Sequence, residues 1–377
     1  MASFWDNIRK DFVHARPAIY LDHAAGGPIP VPVRSRVKAY LDELASEADF
    51  AWPKWMKRVE ECRSAAAKFI NAEPEEIAFI HGTSQGMNLI AELLSSQGQV
   101  LTNTSEFPSS TIPWLARNAE LIFQEPEKNI ISLQKLATLL SPAVKTVLTS
   151  HVQYATGFRQ DLTRLGRMKG KRYLVVNATQ SLGSLEIDVK AWNADFLCSN
   201  SYKWLMAGYG GGILFVRKKW LSQFAPQSSG WRSVANPDSM DNRRYKLLKS
   251  AARYEFGCPS FGTIFAVGAA VNYLSQIGMK KIENRIMSLT AHAMSELKRH
   301  GFEIASPEDP VRRSGIVVFK VARAEKIWKR LISQKIFVSA RGQGLRLGPH
   351  FYNTHDEIDK FITKLDHCRD MESRPPT

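Results

Sequence analysis

The sequence predicts an α/β protein: a large domain on a mostly parallel central sheet flanked by helices, followed by a smaller α+β domain. Three observations predict it. Short apolar runs rich in β-branched residues alternate with segments of helical period, the pattern of strands buried on both faces and joined by crossover helices. That alternation gives way after Phe261 to several helices with few strands between them. The length of 377 residues exceeds the usual size of one domain.

Taken in order, strands are expected over 77–81, 100–103, 121–124, 144–150, 173–177, 196–199 and 212–216. A helix over 85–95 follows the first, and one over 133–140 precedes the fourth. Parallel sheets of this kind take their ligands outside the carboxyl ends of the strands, so residues just past those ends are the candidate site. Beyond Phe261 come a helix to Ile277, a basic amphipathic stretch over 280–300, a strand over 315–319, a helix over 324–334, a strand over 337–341 and a last helix over 355–365. The expected division is an N-terminal arm (1–16), a large domain (17–260) and a small domain (261–377) packed with the N-terminal segment. Glu372 onward is polar and Pro-rich, the composition of a disordered tail.

There are 51 Lys and Arg against 36 Asp and Glu, a net charge of +15. These cations are scattered. The densest runs, Arg217-Lys218-Lys219 and Arg243-Arg244, each border a single aromatic, Trp220 and Tyr245, too few for a base-stacking surface. A solvated basic surface is the expectation, with no nucleic-acid partner. The four cysteines (Cys62, Cys198, Cys258, Cys368) form no C-x-x-C pair, which argues against a metal site or a disulfide framework and fits reduced thiols. The first residues hold no apolar run of signal-peptide length, and no stretch approaches the roughly 20 apolar residues that span a bilayer. A cytoplasmic protein without a membrane partner is expected.

The stretch Val175 to Gly183 is followed by Ser201-Tyr202-Lys203 and a glycine-rich turn from Gly208 to Gly212. A lysine just past a strand end and before such a turn is placed as a Schiff-base lysine needs to be: an amine kept partly dry loses its proton and attacks an aldehyde. A solvated lysine beside a plain hairpin turn is the alternative.

Taken with Tyr20-Leu21-Asp22-His23-Ala24-Ala25, with Phe79-Ile80-His81-Gly82-Thr83-Ser84-Gln85-Gly86, and with the stretches around Asn177, Lys203, 253–259 and Arg346, the chain resembles the class V aminotransferase family in the family's own order. These are fold-type-I pyridoxal-phosphate enzymes that include cysteine desulfurases, kynureninase and isopenicillin N epimerase. The resemblance implies pyridoxal 5′-phosphate bound to Lys203, an amino-acid substrate, and a homodimer with a shared active site. It puts Gly82, Thr83 and Ser84 at the cofactor phosphate, where a helix N-terminus and two hydroxyls suit a dianion, with Ser201 and Tyr202 adding donors. Capping of the helix by Thr83 or Ser84 is compatible with that role. Phe107 would stack on the pyridine ring, Gln180 would bond the phenolic oxygen, and Arg346 would clamp the substrate carboxylate, its fork matching a carboxylate bidentately. His23 and Tyr154 join the substrate side, while His151 and Trp231 lie in stretches that either face the site or only pack.

Two residues depart from the family pattern. Asn177 stands where most members have an aspartate that keeps the pyridine nitrogen protonated; an amide only hydrogen-bonds, which weakens the electron sink that transamination leans on. Cys258 replaces a threonine whose hydroxyl reaches the neighbouring subunit's phosphate, and a thiol is the poorer donor. No cysteine lies within 339–349, where a desulfurase presents its reactive thiol, which disfavours that activity. The resulting expectation is an aminotransferase, or a lyase or epimerase given Asn177; the alternative is a non-catalytic binding or regulatory protein on the same fold.

Overall fold

The computed structural model describes residues 3–13, 18–342 and 344–373, so the end of the polar tail, from 374, lies outside the described residues. In chain order the strands are β1 (Ile19–Tyr20), β2 (Ile77–Ile80), β3 (Gln99–Asn103), β4 (Leu121–Gln124), β5 (Val144–Ser150) and β6 (Tyr173–Asn177). Then follow β7 (Phe196–Asn200), β8 (Gly212–Val216), β9 (Val317–Lys320), β10 (Ile336–Phe337), β11 (Ser339–Arg341) and β12 (Gly344–Leu347). Seven of them form the central sheet in the order β2-β8-β7-β6-β5-β3-β4. Neighbours from β7 to β4 run parallel, and β8 is antiparallel to both β7 and β2.

Alternation along each strand divides its side chains between two apolar layers. Leu174, Val176, Ile213 and Phe215 face one core, shared with Trp55 and Val59 of the helix Trp52–Phe69 and with Phe265 and Val267 of the helix Phe261–Ile277. Val175, Leu214 and Val216 face the other, against Met87, Ile90 and Leu94 of the helix Thr83–Leu94. Both faces are covered, which is why these strands read as continuous apolar runs. A separate core gathers Leu21 beside β1 with Phe319, Leu345, Leu347, Phe361 and Cys368, under the antiparallel sheet β11-β12-β9 and the parallel pair β1-β10. No helix among the described residues is long and apolar enough to cross a membrane.

Three departures from the sequence expectation bear on the cores and the small sheet. The expected strand over 337–341 is two strands, because Ile336–Phe337 pairs with β1 and Ser339–Arg341 pairs with β12. The last helix runs His355–Ser373, so Cys368 lies inside it, buried against the second core. Two long helices, Val31–Glu47 and Trp52–Phe69, occupy a stretch in which no element was expected.

The sheet is pinned at its amino-terminal edge by Asp195, which is fully buried. Its carboxylate accepts from Lys169 Nζ at 2.7 Å, the Leu174 backbone at 2.9 Å and Trp220 Nε1 at 2.7 Å. Replacing Asp195 with Ala strands a buried ammonium and two donors. Urea denaturation is expected to show a loss of about 3–5 kcal/mol; a loss below ~1 kcal/mol would mean that Lys169 escapes to water.

Candidate active site

The site lies past the carboxyl ends of the parallel strands. At the end of β2 the chain turns through Gly82, with φ +149° and ψ 178°, a combination that essentially only glycine adopts. The turn delivers Thr83 and Ser84 as the first residues of a 12-residue helix whose N-cap makes no side-chain hydrogen bond. Its first N–H groups are therefore available for an anion. The Thr83 hydroxyl meets that of Thr179, in the loop after β6.

Lys203 stands three residues past β7 in a loop held by its neighbours' backbones. Gly27 N–H donates to the Tyr202 carbonyl at 2.7 Å, and a Cβ on Gly27 would come within 2.2 Å of the Lys203 carbonyl. On the other flank a Cβ on Gly183 would lie 2.4 Å from the Trp204 carbonyl. Glycine at both positions lets the chain press this loop from two sides. The Lys203 ammonium sits 5.9 Å from the Phe107 ring centroid and 5.8 Å from that of Tyr202. Burial, then the positive charges of Arg346 and Arg341, bring its pKa down to about 8, with Asp22 partly opposing them.

Phe107 begins the helix Pro108–Leu115, meets Tyr154 edge to face at 5.0 Å, and is half exposed. Beside it, the buried carboxylate of Glu106 accepts from the Ser150 backbone and hydroxyl (both 2.6 Å), from Gln153 Nε2 (2.7 Å) and from Asn103 Nδ2 (3.1 Å). That cluster fixes the ends of β3 and β5 relative to each other. Sequence reasoning passed over Glu106, because its donors converge only in the fold.

Asn177 ends β6, buried. Its Oδ1 accepts from the Thr179 backbone at 3.0 Å and its Nδ2 donates to Ser110 Oγ at 2.9 Å. The Thr179 N–H accordingly sets which way the amide points. Gln180 is held likewise: Nε2 donates to the Ala24 carbonyl at 3.0 Å and Oε1 accepts from Trp204 Nε1 at 2.8 Å.

A cavity of about 280 Å³ brings together Gly82, Thr83, Ser84, Phe107, Tyr154, Asn177, Gln180, Tyr202 and Lys203. Four expected site residues lie elsewhere. Ser201 is buried with its hydroxyl donating to the Gly208 carbonyl at 2.7 Å, bracing the glycine turn. His23 is buried with Nδ1 3.0 Å from the Gly348 carbonyl and Nε2 3.1 Å from the Tyr352 hydroxyl. Cys258 is exposed in a neighbouring depression that shares His81 and Gln85 with this one. Arg346 lies behind the wall: Nη1 donates to the Tyr154 carbonyl at 3.0 Å, Nη2 is 3.5 Å from Asp22 Oδ1, and Nε has no partner. Burial brings the Arg346 pKa down to about 10 and raises that of Asp22. His151 packs its ring on Trp192 at 4.6 Å, away from this cavity, and Trp231 stacks on Trp52.

A part-buried lysine of lowered pKa beside an uncapped helix N-terminus, past the strand ends of such a sheet, defines an enzyme that holds a phosphorylated aldehyde cofactor. The chain belongs to the aminotransferase class-V family, whose profile matches residues 19–361. It is 28% identical to an uncharacterized aminotransferase of Bacillus subtilis, YcbU, over 89% of this chain and 90% of that one. Identity is also 28% to a probable cysteine desulfurase of Pyrococcus abyssi, over 96% of each chain. The apo cysteine desulfurase of Thermococcus onnurineus NA1 superposes with a TM-score of 0.88 at 25% identity, covering 98% of this chain and 100% of that one.

The enzyme is pyridoxal-phosphate-dependent, and the residues present fit that cofactor. The helix N–H groups that no side chain caps suit its phosphate, and the part-buried Lys203 amine suits its aldehyde.

Proposed function

We propose that the enzyme transforms an α-amino acid at its Cα, with Lys203 as both the point of cofactor attachment and the base, and that it works as a homodimer in the cytoplasm. The lowered pKa of Lys203 carries this reading, because a neutral amine is needed to attack an aldehyde and to accept a proton. When bound, pyridoxal 5′-phosphate supplies the aldehyde carbon and an electron-withdrawing ring. Thr83, Ser84 and the N–H groups behind Gly82 hold its phosphate. Gln180 and Asn177, each fixed by a backbone partner, present N–H donors to the cofactor. Phe107, edge to face with Tyr154, offers the lysine's surroundings an aromatic side. Arg346 supplies positive potential for the substrate carboxylate, and direct contact requires Tyr154 to give way.

The reaction is transamination, or lyase or epimerase chemistry where the Asn177 amide leaves the ring a weaker sink. Cysteine desulfuration is the second reading, favoured by the relatives that carry that name. The dimer reading draws support from two large apolar side chains that a partner would cover, Trp231 and Phe50, 41% and 95% exposed. Light scattering is expected to give twice the 42.5 kDa chain mass.

The purified holoenzyme is expected to show a visible absorbance band that borohydride fixes on the peptide containing Lys203. Amino acids are then added one at a time, with keto acid, alanine, sulfide and inverted substrate assayed. A band that no amino acid perturbs would overturn catalysis and leave a binding protein; sulfide and alanine from cysteine would establish the second reading.

A further inference from the structure

The hairpin formed by β11 and β12 carries a second guanidinium, Arg341, on the strand face of Arg346. Ser339 pairs directly with Arg346, and Arg341 with Gly344. Successive side chains on a strand alternate, so Ser339 and Arg341 share a face, and the residue directly across from Ser339 shares it too. That face addresses the wall of the cavity: Arg346 donates to the Tyr154 carbonyl and the Ser339 hydroxyl donates to Asp22. Arg341 therefore stands on the face of Arg346, one alternation nearer the hairpin turn.

The two arginines differ in how they are compensated. Arg346 is buried and has the Asp22 carboxylate 3.5 Å away. Arg341 is exposed, and no carboxylate pairs with it among the described residues; Nη1 donates only to the carbonyl of its neighbour Ala340, at 2.9 Å. The charge of Arg341 still reaches the site, since it helps to lower the pKa of Lys203 and of Arg346 and opposes the rise that burial gives Asp22. One carboxylate on the substrate is matched by one guanidinium. With Arg346 facing Asp22 and left to the substrate α-carboxylate, Arg341 is the guanidinium on this face that no carboxylate compensates among the described residues.

We propose that Arg341 makes this site selective for amino acids that carry a second acidic group on the side chain, received at the cavity mouth by the Arg341 guanidinium. The inference rests on the reading that an α-amino acid reacts at Lys203. A planar fork held at a strand end suits a carboxylate bidentately, and a mouth position leaves the Cα end of the substrate at the lysine.

Steady-state rates with aspartate and glutamate are compared with those for asparagine and glutamine, which keep shape and lose charge. The acids are expected to exceed their amides in kcat/KM by ~10–100-fold, the range of a charge-assisted hydrogen bond. Arg341→Gln is expected to remove that preference by slowing the acids at least ~10-fold more than the amides, both losing in common what Arg341 contributes to the lowered Lys203 pKa, and Arg341→Lys to restore part of it. Lys329→Gln, at an exposed helix position, controls for general attraction by a basic protein and is expected to leave the preference unchanged. Equal rates for acid and amide, an Arg341→Gln loss equal in both, or the same loss of preference in Lys329→Gln would each overturn the proposal. Calorimetry with succinate against butyrate, neither of which has an amine, tests Arg341 separately from Lys203. If the lysine carries no cofactor, the reading of the reaction fails, while weaker succinate binding to Arg341→Gln would still uphold the acidic subsite and equal binding would still reject it.

Discussion

Lys203→Ala is expected to fold normally, to yield protein with no borohydride-fixable chromophore, and to lose at least ~10³-fold in turnover. The fold should survive because the loop is held by its backbone, through the Gly27–Tyr202 hydrogen bond and the close approach of Gly183, and Lys203 makes no ion pair among the described residues. Retained colour that borohydride fixes would place the attachment elsewhere.

The wild-type lysine carries its own pH signature. With a pKa of about 8, roughly a tenth of the amine is neutral at pH 7, against roughly three parts in ten thousand for an unperturbed lysine. The shift is downward, so the reactive neutral form grows as pH rises through 8 and is nearly complete at pH 9. Loading of the apoprotein with cofactor, followed by absorbance, should accelerate about tenfold from pH 7 to pH 9 and then level off. A rate that keeps climbing through pH 10 would mean that burial and the two arginines do not act on this amine.

The central sheet was legible because its strands are buried on both faces and carry their instruction locally, in runs such as Val175-Val176 and Ile213-Leu214. The small sheet was less so, since the break at Val338 depends on pairing with β1, more than three hundred residues earlier in the chain. The last helix looked finished at Leu365 because Asp366 and His367 interrupt the apolar pattern, yet Cys368 buries against the second core and Arg369 donates to the His300 carbonyl. In the site the same distinction holds. Thr83, Asn177 and Lys203 could be placed from the strand ends before them. Whether a side chain turns into the cavity or away from it rests on partners remote in sequence: Tyr352 and Gly348 occupy the His23 ring, and Tyr154 screens Arg346.

Asn177→Asp is expected to bind cofactor at least as tightly as wild type, to shift its absorbance spectrum, and to raise the rate of transamination with any amino acid that reacts. The position tolerates the change. Thr179 N–H donates to one terminal oxygen whether the residue is amide or acid, and Ser110, which now accepts from Nδ2, can rotate its hydroxyl to donate instead. What changes is the group offered to the cofactor, from a neutral N–H to a carboxylate that favours a protonated ring nitrogen. Hydrogen bonds involving a charge contribute about 1.5–3 kcal/mol, where neutral ones contribute about 1. A difference of ~1–2 kcal/mol corresponds to roughly tenfold in rate when it is felt in the transition state. The spectral change should come without substrate, which separates an electronic effect from altered substrate binding. An unchanged spectrum with unchanged rate would show that the Asn177 amide does not face the ring nitrogen. A changed spectrum with slower transamination would show that this enzyme's chemistry has come to depend on the weaker sink, as expected of an epimerase or lyase.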